Sequence, residues 1–521
     1  MGNGASAGLA AGVSAATSPD LKLAMSGLTP DTRAKLRDAL KTPRKDVQTD
    51  ESATCVSRVQ AALDAIAAKE PRLNACIEVL NESALKQAAE ADKRLADGAP
   101  RRAFEGVPLL VKGNIDVEGT LSTAGWRGLD GWRPETTAPV AKRLIEAGAI
   151  VVAKTTLPEA AFGLWGWSSL HGLTVNPHND RYSAGGSSTG SAVGIAAGYA
   201  AVALGSDTEG SLRAPAEFAG VVGMRPTLGR YPEEGIVPCN IAHDTAGPMG
   251  ATVADVAALD ATIMGTPLSE YQPADLSSVT VALPPDWAAL AQAAPGSARA
   301  LELVVAALSS AGATVKKEAA PFAALLTPPE GHEELSFREE GLDKYIASHP
   351  KMGRTTDHVV EASFYPNVRN FYKDPKNLAG PLINMKTKQG TDEYTGLKAK
   401  YDKEIGEMKE RYLSYMADHG ADVILTPCCA GPPNLAKTAE EYNDNASFLP
   451  LIMGAMAVYK PIMGLNGVAI PSIAMPTPAR HEAADIGSGG ALPSGLLLWG
   501  RPDGDKRMIE VAMALEKALQ A

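Results

Sequence analysis

The chain has 521 residues, of which 45% are hydrophobic, and a formal net charge of −11. This length and apolar content allow a large buried core, and the negative charge argues against a nucleic-acid partner. No apolar run approaches the roughly 20 residues that span a bilayer, and the five cysteines form no metal-spaced set. We therefore expect a cytoplasmic protein with reduced thiols and no metal.

Residues 1–20 have the composition of a flexible leader, rich in alanine, glycine and serine. The sequence from Met1 to Ser6 fits M-G-x-x-x-[ST], a pattern typical of N-myristoylation at Gly2. A single such chain would give weak peripheral binding to a membrane, and the alternative is an unmodified leader. The pattern of residues 21–100 predicts an N-terminal helical layer. Two of its helical stretches are separated by a break at Glu70 and Pro71.

A lysine follows an apolar, strand-like run within residues 106–117. Lys112 comes directly after Val111. Lysine is costly to bury, so at such a place it either reaches water or is held neutral. A neutral lysine is a base. For this segment alone, an exposed strand end is the simpler interpretation.

Short apolar runs alternate with helical patterns from residue 107 onward. The runs 148–154, 279–283 and 421–426 predict buried strands, and 138–147 predicts a helix. This alternation is typical of an α/β sheet that is buried on both faces.

Residues 185–227 place serines in two glycine-rich turns around a helix of small residues. Ser187 follows Gly185 and Gly186, and Ser211 follows Gly210. Glycines beside a hydroxyl let a carbonyl approach the backbone and let N–H groups converge on one spot, as an oxyanion requires. The alternative is a loop that only joins helices. The lysine upstream favours an active site, because a serine nucleophile needs a base.

Two rival motifs are less convincing. Residues 186–190 spell G-x-S-x-G, the nucleophile elbow of α/β-hydrolases, but 179–184 is a polar turn where that elbow needs a strand. None of the eight histidines is a compelling partner for it. Ser83 and Lys86 form an S-x-x-K pair in helical periodicity, which predicts a solvated helix face.

In this order and spacing, the lysine and serine motifs resemble the amidase signature family. Lys112, Ser187 and Ser211 match the base, the bridging serine and the nucleophile, and the two serines are 24 positions apart. Arg213 and residues 220–227 extend the resemblance. The runs 229–232, 235–238 and 244–249 are similar to the arylacetamide branch, which contains mandelamide and indoleacetamide hydrolases.

The resemblance implies a three-layer α/β/α fold with a large mixed, twisted sheet. It also implies a Ser-cisSer-Lys triad, with a cis peptide between Gly186 and Ser187, that hydrolyses a carboxylic amide through an acyl-enzyme without a cofactor. Lys112 would take a proton from Ser187, and Ser187 one from Ser211. Four backbone N–H groups would hold the oxyanion, those of Thr208, Glu209, Gly210 and Ser211.

Three positions depart from the family pattern, namely Gly113, Thr189 and Glu209. Glu209 still donates its N–H if the turn does not demand a positive φ there. Its carboxylate either replaces the one absent at position 113 or reaches toward the substrate. Because a negative group would oppose the oxyanion, we expect this carboxylate to point away or to pair with Arg213.

Five aromatic residues lie within about forty positions, and they suit an aryl or indolyl acetamide. They are Trp126, Trp132, Phe162, Trp165 and Trp167. Core packing is the alternative for each, and we expect at most two to touch substrate. The predicted substrate-binding residues are Gly185, Gly186, Ser188, Trp165, Trp167 and Cys239. For Cys239 the alternative is a small buried side chain.

We expect residues 101–521 to form one catalytic domain, with a helical cap over the active-site mouth at 330–420. Its expected partner is a small-molecule amide, and a homodimer is left open. Three alternative functions stay open as well: a lipid amidase with the same triad, an amidotransferase or glutaminase subunit that needs partners, and a non-catalytic binder.

Overall fold

The computed structural model describes residues 53–163, 166–291, 295–317, 339–364, 366, 368–369, 392–428, 469–481 and 492–520. The expectations about the leader, Gly2 and Trp165 lie outside these residues, as does the part of the helical layer before residue 53.

An eleven-stranded mixed sheet forms the centre of the fold. Its strands in chain order are β1 (Cys76–Val79), β2 (Pro108–Lys112), β3 (Ile150–Thr155), β6 (Val202–Asp207), β7 (Val222–Arg225), β8 (Thr245–Gly250), β9 (Thr280–Ala282), β10 (Thr314–Lys316), β11 (Val423–Pro427), β12 (Ser472–His481) and β13 (Leu492–Trp499). A separate hairpin pairs β4 (Trp167–Ser168) with β5 (Gly172–Leu173).

The strands lie side by side in the order β1-β3-β2-β6-β8-β7-β12-β13-β11-β9-β10. Strand β2 pairs in parallel with β3 and β6, and β9 pairs in parallel with β10 and β11. The other pairs are antiparallel. The predicted buried strands near residues 108, 150, 280 and 423 are therefore confirmed, and they belong to one mixed sheet.

Helices cover both faces of this sheet, and two short helices within residues 339–364 pack on loops instead. They are α1 (Cys55–Leu73), α2 (Asn81–Ala96), α3 (Pro139–Glu146), α4 (Thr189–Ala197), α5 (Arg213–Ala219), α6 (Val253–Met264), α7 (Pro285–Ala291), α8 (Pro295–Ser310), α9 (Lys344–Ala347), α10 (Thr356–Glu361), α11 (Asp392–Asp418) and α12 (Asp505–Gln520). Within the described parts of the chain, no helix combines the length and apolar character that crossing a bilayer requires.

Alternating strand residues point to opposite helical layers. Leu110 of β2 packs with α1, α2, α4 and α5, whereas Leu109 and Val111 pack with α3 and α6. On the other half of the sheet, Ile424 joins the first layer, and its neighbours in β11 pack with α8 and α12. This two-residue period with both faces buried confirms the three-layer α/β/α prediction.

The described residues 53–100 of the N-terminal segment pack on this sheet. Strand β1, which the sequence did not predict, pairs antiparallel with β3 at the sheet edge. The break predicted at Glu70 and Pro71 is wrong, because α1 continues to Leu73. Pro71 lies in the last turn of α1, and the helix continues past it to bury Leu73.

Two parts of the predicted cap have different roles. The segment 339–364 packs on the loops around residues 124–134, where Arg354 donates 2.7 Å hydrogen bonds to the carbonyls of Gly128 and Asp130. The second half of helix α11 differs from the predicted cap. There Met408, Tyr412 and Met416 are buried in the first helical layer, because these spacings form one apolar face.

Gly223 of β7 tests the close packing of α5 on the sheet. A Cβ at Gly223 would clash with the Leu212 carbonyl oxygen and lie 2.8 Å from the Ala216 Cβ. We predict that Gly223→Ala lowers the free energy of unfolding by about 2 kcal/mol or more, measured by urea denaturation. Gly396→Ala is the matched control, because it adds a methyl group to an exposed helix position with open space around it. It should stabilise the protein by up to about 1 kcal/mol. Equal effects of the two substitutions would contradict this packing.

Candidate active site

Lys112 ends β2 inside the protein. Its side chain is fully buried, and its Nζ lies 2.8 Å from Ser187 Oγ. The same Nζ lies 2.9 Å from Ser206 Oγ and 3.3 Å from the Ser206 carbonyl oxygen. The parallel register of β2 and β6, with Val111 beside Leu204, brings the two carboxyl ends together. The interpretation of Lys112 as an exposed strand end is therefore wrong.

Burial changes the protonation of Lys112. It lowers the pKa of the amine from 10.5 to about 7, against the opposing charge of Asp207. A charged ammonium in this place would lose its hydration, so the neutral form is favoured. A substantial fraction of Lys112 is therefore a free base near neutral pH.

The first serine loop presents Ser187 to this amine. The peptide bond between Gly186 and Ser187 is cis, and Gly185 has a φ of 76°. A Cβ at Gly185 would lie 2.8 Å from Pro215 Cα, so only glycine allows α5 to pack this closely. Thr189, one of the departures from the family pattern, donates a 2.8 Å hydrogen bond to the Gly185 carbonyl. The threonine therefore fixes the shape of the loop.

Asp207 organises the second serine turn. Its buried carboxylate accepts hydrogen bonds from Arg213 at 3.1 and 3.0 Å and from Arg225 at 3.1 Å. It also accepts the main-chain N–H groups of Gly210 at 2.8 Å and Leu212 at 2.9 Å. Although burial opposes them, the two arginines hold the pKa of Asp207 well below its usual range. Sequence reasoning missed this role, because nothing in the motif shows that both arginines turn toward one carboxylate.

The predicted oxyanion donors need one correction. The Gly210 N–H is bonded to Asp207, so it is not available to a substrate. In the described part of the chain, no hydrogen bond occupies the N–H of Glu209 or of Ser211. Glu209 does not have a positive φ, whereas Gly210 has a φ of 111°. The turn therefore offers the N–H groups of Glu209 and Ser211, and the expected donation by the Thr208 N–H stays a prediction.

Of the two arrangements expected for Glu209, the pair with Arg213 does not form, because Asp207 binds that guanidinium. Its Oε1 lies 3.6 Å from His243 Nδ1, and His243 Nε2 lies 3.1 Å from the Tyr401 hydroxyl.

The surroundings of Gly113 are tightly filled. A Cβ there would lie 2.7 Å from Ile77 Cδ1 and 3.0 Å from both Leu157 Cδ2 and the Thr155 carbonyl oxygen. A longer side chain at position 113 would therefore need its neighbours to move.

The candidate substrate contacts fall into different places. The Ser188 hydroxyl donates to the Ser206 carbonyl at 3.0 Å and accepts its N–H at 3.2 Å, so this side chain joins the loop to β6. Trp167 begins the β4–β5 hairpin and is partly exposed. A Cβ at the preceding Gly166 would lie 2.9 Å from Thr189 Cγ2, which places this hairpin against the first serine loop.

Cys239 lies beside Asp244, whose carboxylate accepts its N–H. It is partly buried against an apolar cluster that includes Val237 and Leu342. Burial, and then the charge of Asp244, raise the pKa of the Cys239 thiol well above its usual range. The Cys239 side chain is therefore neutral and only weakly polar.

Two of the five aromatic residues anchor the segment 339–364. Trp126 and Trp132 are buried, and their indole N–H groups donate to Ser363 Oγ at 2.8 Å and to the Tyr345 hydroxyl at 3.1 Å. Core packing is therefore the better interpretation for these two. Phe162 lies partly buried against the same cluster.

A polar group that sequence reasoning missed fixes the loop after Lys112. The buried Asp116 carboxylate accepts the Tyr345 hydroxyl at 3.0 Å and lies 3.2 Å from His349 Nε2. Lys154 is buried nearby, and burial lowers its pKa to about 8. The position of Lys154 in the predicted strand 148–154 could have indicated a buried charged group here, because a lysine in a buried strand has to be buried.

Among the residues that the structure describes, no three His, Cys, Asp or Glu side chains converge as a metal site would require.

Comparison with known proteins identifies the family. The amidase family model matches residues 57–509, so the chain belongs to the amidase family.

Particular relatives differ in how much they share with the chain. The mandelamide hydrolase of Pseudomonas putida is 30% identical over 462 residues, which cover 86% of this chain and 85% of that protein. A glutamyl-tRNA(Gln) amidotransferase subunit of Thermosynechococcus vestitus is 42% identical over 241 residues, or 46% of this chain. That match spans 48% of the relative, about half its length. The native peptide amidase of Stenotrophomonas maltophilia superposes with a TM-score of 0.70 at 26% identity, over 92% of this chain and 97% of that one.

The lowered pKa of Lys112 predicts how stability depends on pH. Between the folded value of about 7 and the ordinary value of 10.5, the unfolded chain binds more protons at this site. Stability from this group therefore rises with pH across that window. We predict that the free energy of unfolding of the wild type minus that of Lys112→Met increases by about 1.4 kcal/mol per pH unit between about pH 8 and pH 9.5.

Urea denaturation at several pH values measures this difference. Lys86→Met, at an exposed helix position, is the control and should give a difference that does not change with pH. A flat difference for Lys112→Met as well would show that Lys112 is charged in the folded protein.

Proposed function

We propose that the protein is a serine amidase that hydrolyses a carboxylic amide to an acid and ammonia or an amine through an acyl-enzyme. Lys112 is the base, Ser187 the bridging residue and Ser211 the nucleophile. The observation that carries this proposal is the set of three contacts made by the buried Lys112 amine. A neutral amine has two N–H groups and one lone pair. The two oxygens of Ser206 match the N–H groups, so the lone pair faces the Ser187 hydroxyl.

In the first half-reaction, the Lys112 lone pair accepts the Ser187 proton while Ser187 Oγ accepts the Ser211 proton. Ser211 Oγ then forms a bond to the amide carbon, and the carbonyl oxygen becomes an oxyanion. The N–H groups of Glu209 and Ser211 stabilise this oxyanion, with about 3 kcal/mol typically lost for each donor removed.

The same groups complete the turnover. Ser187 gives its proton to the leaving nitrogen and regains one from Lys112, so the C–N bond breaks and the acyl-enzyme forms. A water molecule then attacks the acyl carbon and passes its proton along the same path. Release of the acid restores Ser211 and the neutral Lys112.

For the acyl group, we propose an aryl- or indolylacetamide-like substrate. Support comes from the mandelamide hydrolase relative, which matches most of the chain. It also comes from Trp167, whose hairpin lies against the first serine loop, and from Phe162, which packs partly buried on the same apolar cluster as Cys239. Trp126 and Trp132 bind the segment 339–364, so Trp167 and Phe162 are the candidates for substrate contact among the described aromatics of this group.

A partner-dependent glutaminase is the second candidate. It is supported by the 42% identity to the amidotransferase relative over 46% of the chain. The two candidates differ in one measurable property: an amidase works as the isolated chain, whereas a glutaminase of this kind would need its partners.

Ammonia release by the purified protein tests the proposal. We expect hydrolysis of phenylacetamide, mandelamide and indole-3-acetamide to exceed that of acetamide, oleamide and glutamine. Ser211→Ala and Ser187→Ala should each reduce kcat/KM by at least about 10³-fold, because the proton path and nucleophile act as one unit.

Ser83→Ala is the matched control, since Ser83 belongs to the rival S-x-x-K pair on an exposed helix face. Activity that survives Ser211→Ala but not Ser83→Ala would refute the assignment. Turnover of glutamine that appears only with added partner proteins would favour the second candidate.

A further inference from the structure

Glu209 places an acidic side chain in the turn of the proposed nucleophile. It precedes Ser211 by two positions, so the two Cα atoms are at most about 7.6 Å apart. Its side chain is 31% exposed, whereas Ser187, Ser211 and Asp207 are each at least 95% buried. Glu209 is therefore the accessible carboxylate of an otherwise buried turn.

Among the described residues, the two arginines of this turn are directed elsewhere. Arg213 binds Asp207, and Arg225 binds Asp207 and donates a 2.7 Å hydrogen bond to the His243 carbonyl. The side chain that the described residues place closest to the Glu209 carboxylate as an ion-pair partner is the His243 ring at 3.6 Å, and an imidazole is a cation only when it is protonated.

The other carboxylate beside this turn is fixed. Asp244 accepts the Thr208 hydroxyl at 2.5 Å and the N–H groups of Cys239 and Asn240 at 2.7 and 2.9 Å. These bonds fold the loop 239–243 onto the nucleophile turn, so that His243 stands next to Glu209. The carboxylate of Glu209 consequently lies between this loop and the turn whose N–H groups are the candidate oxyanion donors.

A carboxylate here has a chemical consequence for the proposed reaction. Formation of the oxyanion adds negative charge beside an existing negative charge, which is unfavourable in a poorly hydrated site. A positive group on the substrate, close to the scissile carbonyl, would neutralise Glu209 and remove this repulsion. Attraction then increases both binding and transition-state stabilisation.

We propose that Glu209 is a specificity-determining residue that makes the site prefer amides with an ammonium group on the carbon next to the scissile carbonyl, as in amides of aromatic amino acids. This inference rests on the proposed amidase function and specifies its substrate class.

The experiment compares three amides that differ only at that carbon: phenylacetamide carries hydrogen, mandelamide hydroxyl and 2-phenylglycinamide an amino group. The kcat/KM values are measured at a pH below the pKa of that amino group. We expect the wild type to prefer 2-phenylglycinamide over phenylacetamide by about tenfold or more, with mandelamide between them.

Glu209→Gln removes the charge and keeps the shape of the side chain. The ratio of the two kcat/KM values should fall at least about tenfold, or about 1.4 kcal/mol. Because each variant is compared on two substrates, any general effect on the oxyanion turn cancels in the ratio. Glu234→Gln, which removes a charge from an exposed position nearby in sequence, is the control and should leave the ratio within about twofold of wild type.

The outcomes separate the two proposals. Wild-type protein that hydrolyses phenylacetamide without preferring the ammonium substrate overturns the role of Glu209 and leaves the amidase function intact. A preference that Glu209→Gln does not reduce also overturns that role. Hydrolysis of none of the three amides by the wild type overturns the amidase proposal, and the specificity proposal with it.

Discussion

The active site depends on the burial of one amine, that of Lys112, next to a buried carboxylate, that of Asp207. The negative charge of Asp207 raises the pKa of Lys112, against the larger lowering effect of burial. Asp207 is in turn neutralised by Arg213 and Arg225. Because these two guanidinium groups compensate its negative charge, Asp207 can bind the nucleophile turn without keeping Lys112 protonated. A substitution that freed Asp207 would therefore affect both the turn and the base.

The fold supplies this arrangement from three distant parts of the sequence. The parallel neighbours β2 and β6 end side by side and bring Lys112 against Ser206. The first serine loop reaches the same point because Ser188 is bonded to Ser206, and its N–H donates to the Ser211 carbonyl at 3.1 Å. Packing α5 close to the sheet through Gly223 then fixes the helix that follows the nucleophile. The geometry thus follows from strand register and a few glycines.

Local signals in the sequence were sufficient for the elements with strong periodicity. Strands such as β3, with both faces buried, read as continuous apolar runs, and the serine and lysine motifs were long enough to identify the family. Strand β1 was missed because its four residues are all partly exposed and show no alternation. A partially buried edge strand leaves too weak a pattern to be distinguished from a loop.

The sequence could not predict which partner a side chain binds when several candidates lie near it in the folded protein. Arg213 lies within reach of Glu209 and Asp207 along the chain, and only the structure shows that Asp207 binds it. The same carboxylate takes the Gly210 N–H that the motif suggested for the oxyanion. Likewise, core packing and substrate contact both stayed open for Trp126 and Trp132 in sequence, and only the structure shows their partners in segment 339–364.

The central claim is that Lys112 is a neutral base near pH 7, and its titration tests this most directly. The Nζ resonance can be followed by NMR in protein that contains ¹⁵N-labelled lysine and assigned by its absence in Lys112→Met. That comparison also separates it from buried Lys154, whose pKa is lowered to about 8. We predict a midpoint near pH 7. A Lys112 resonance that stays that of an ammonium up to about pH 9.5, near the ordinary lysine range, would contradict the account.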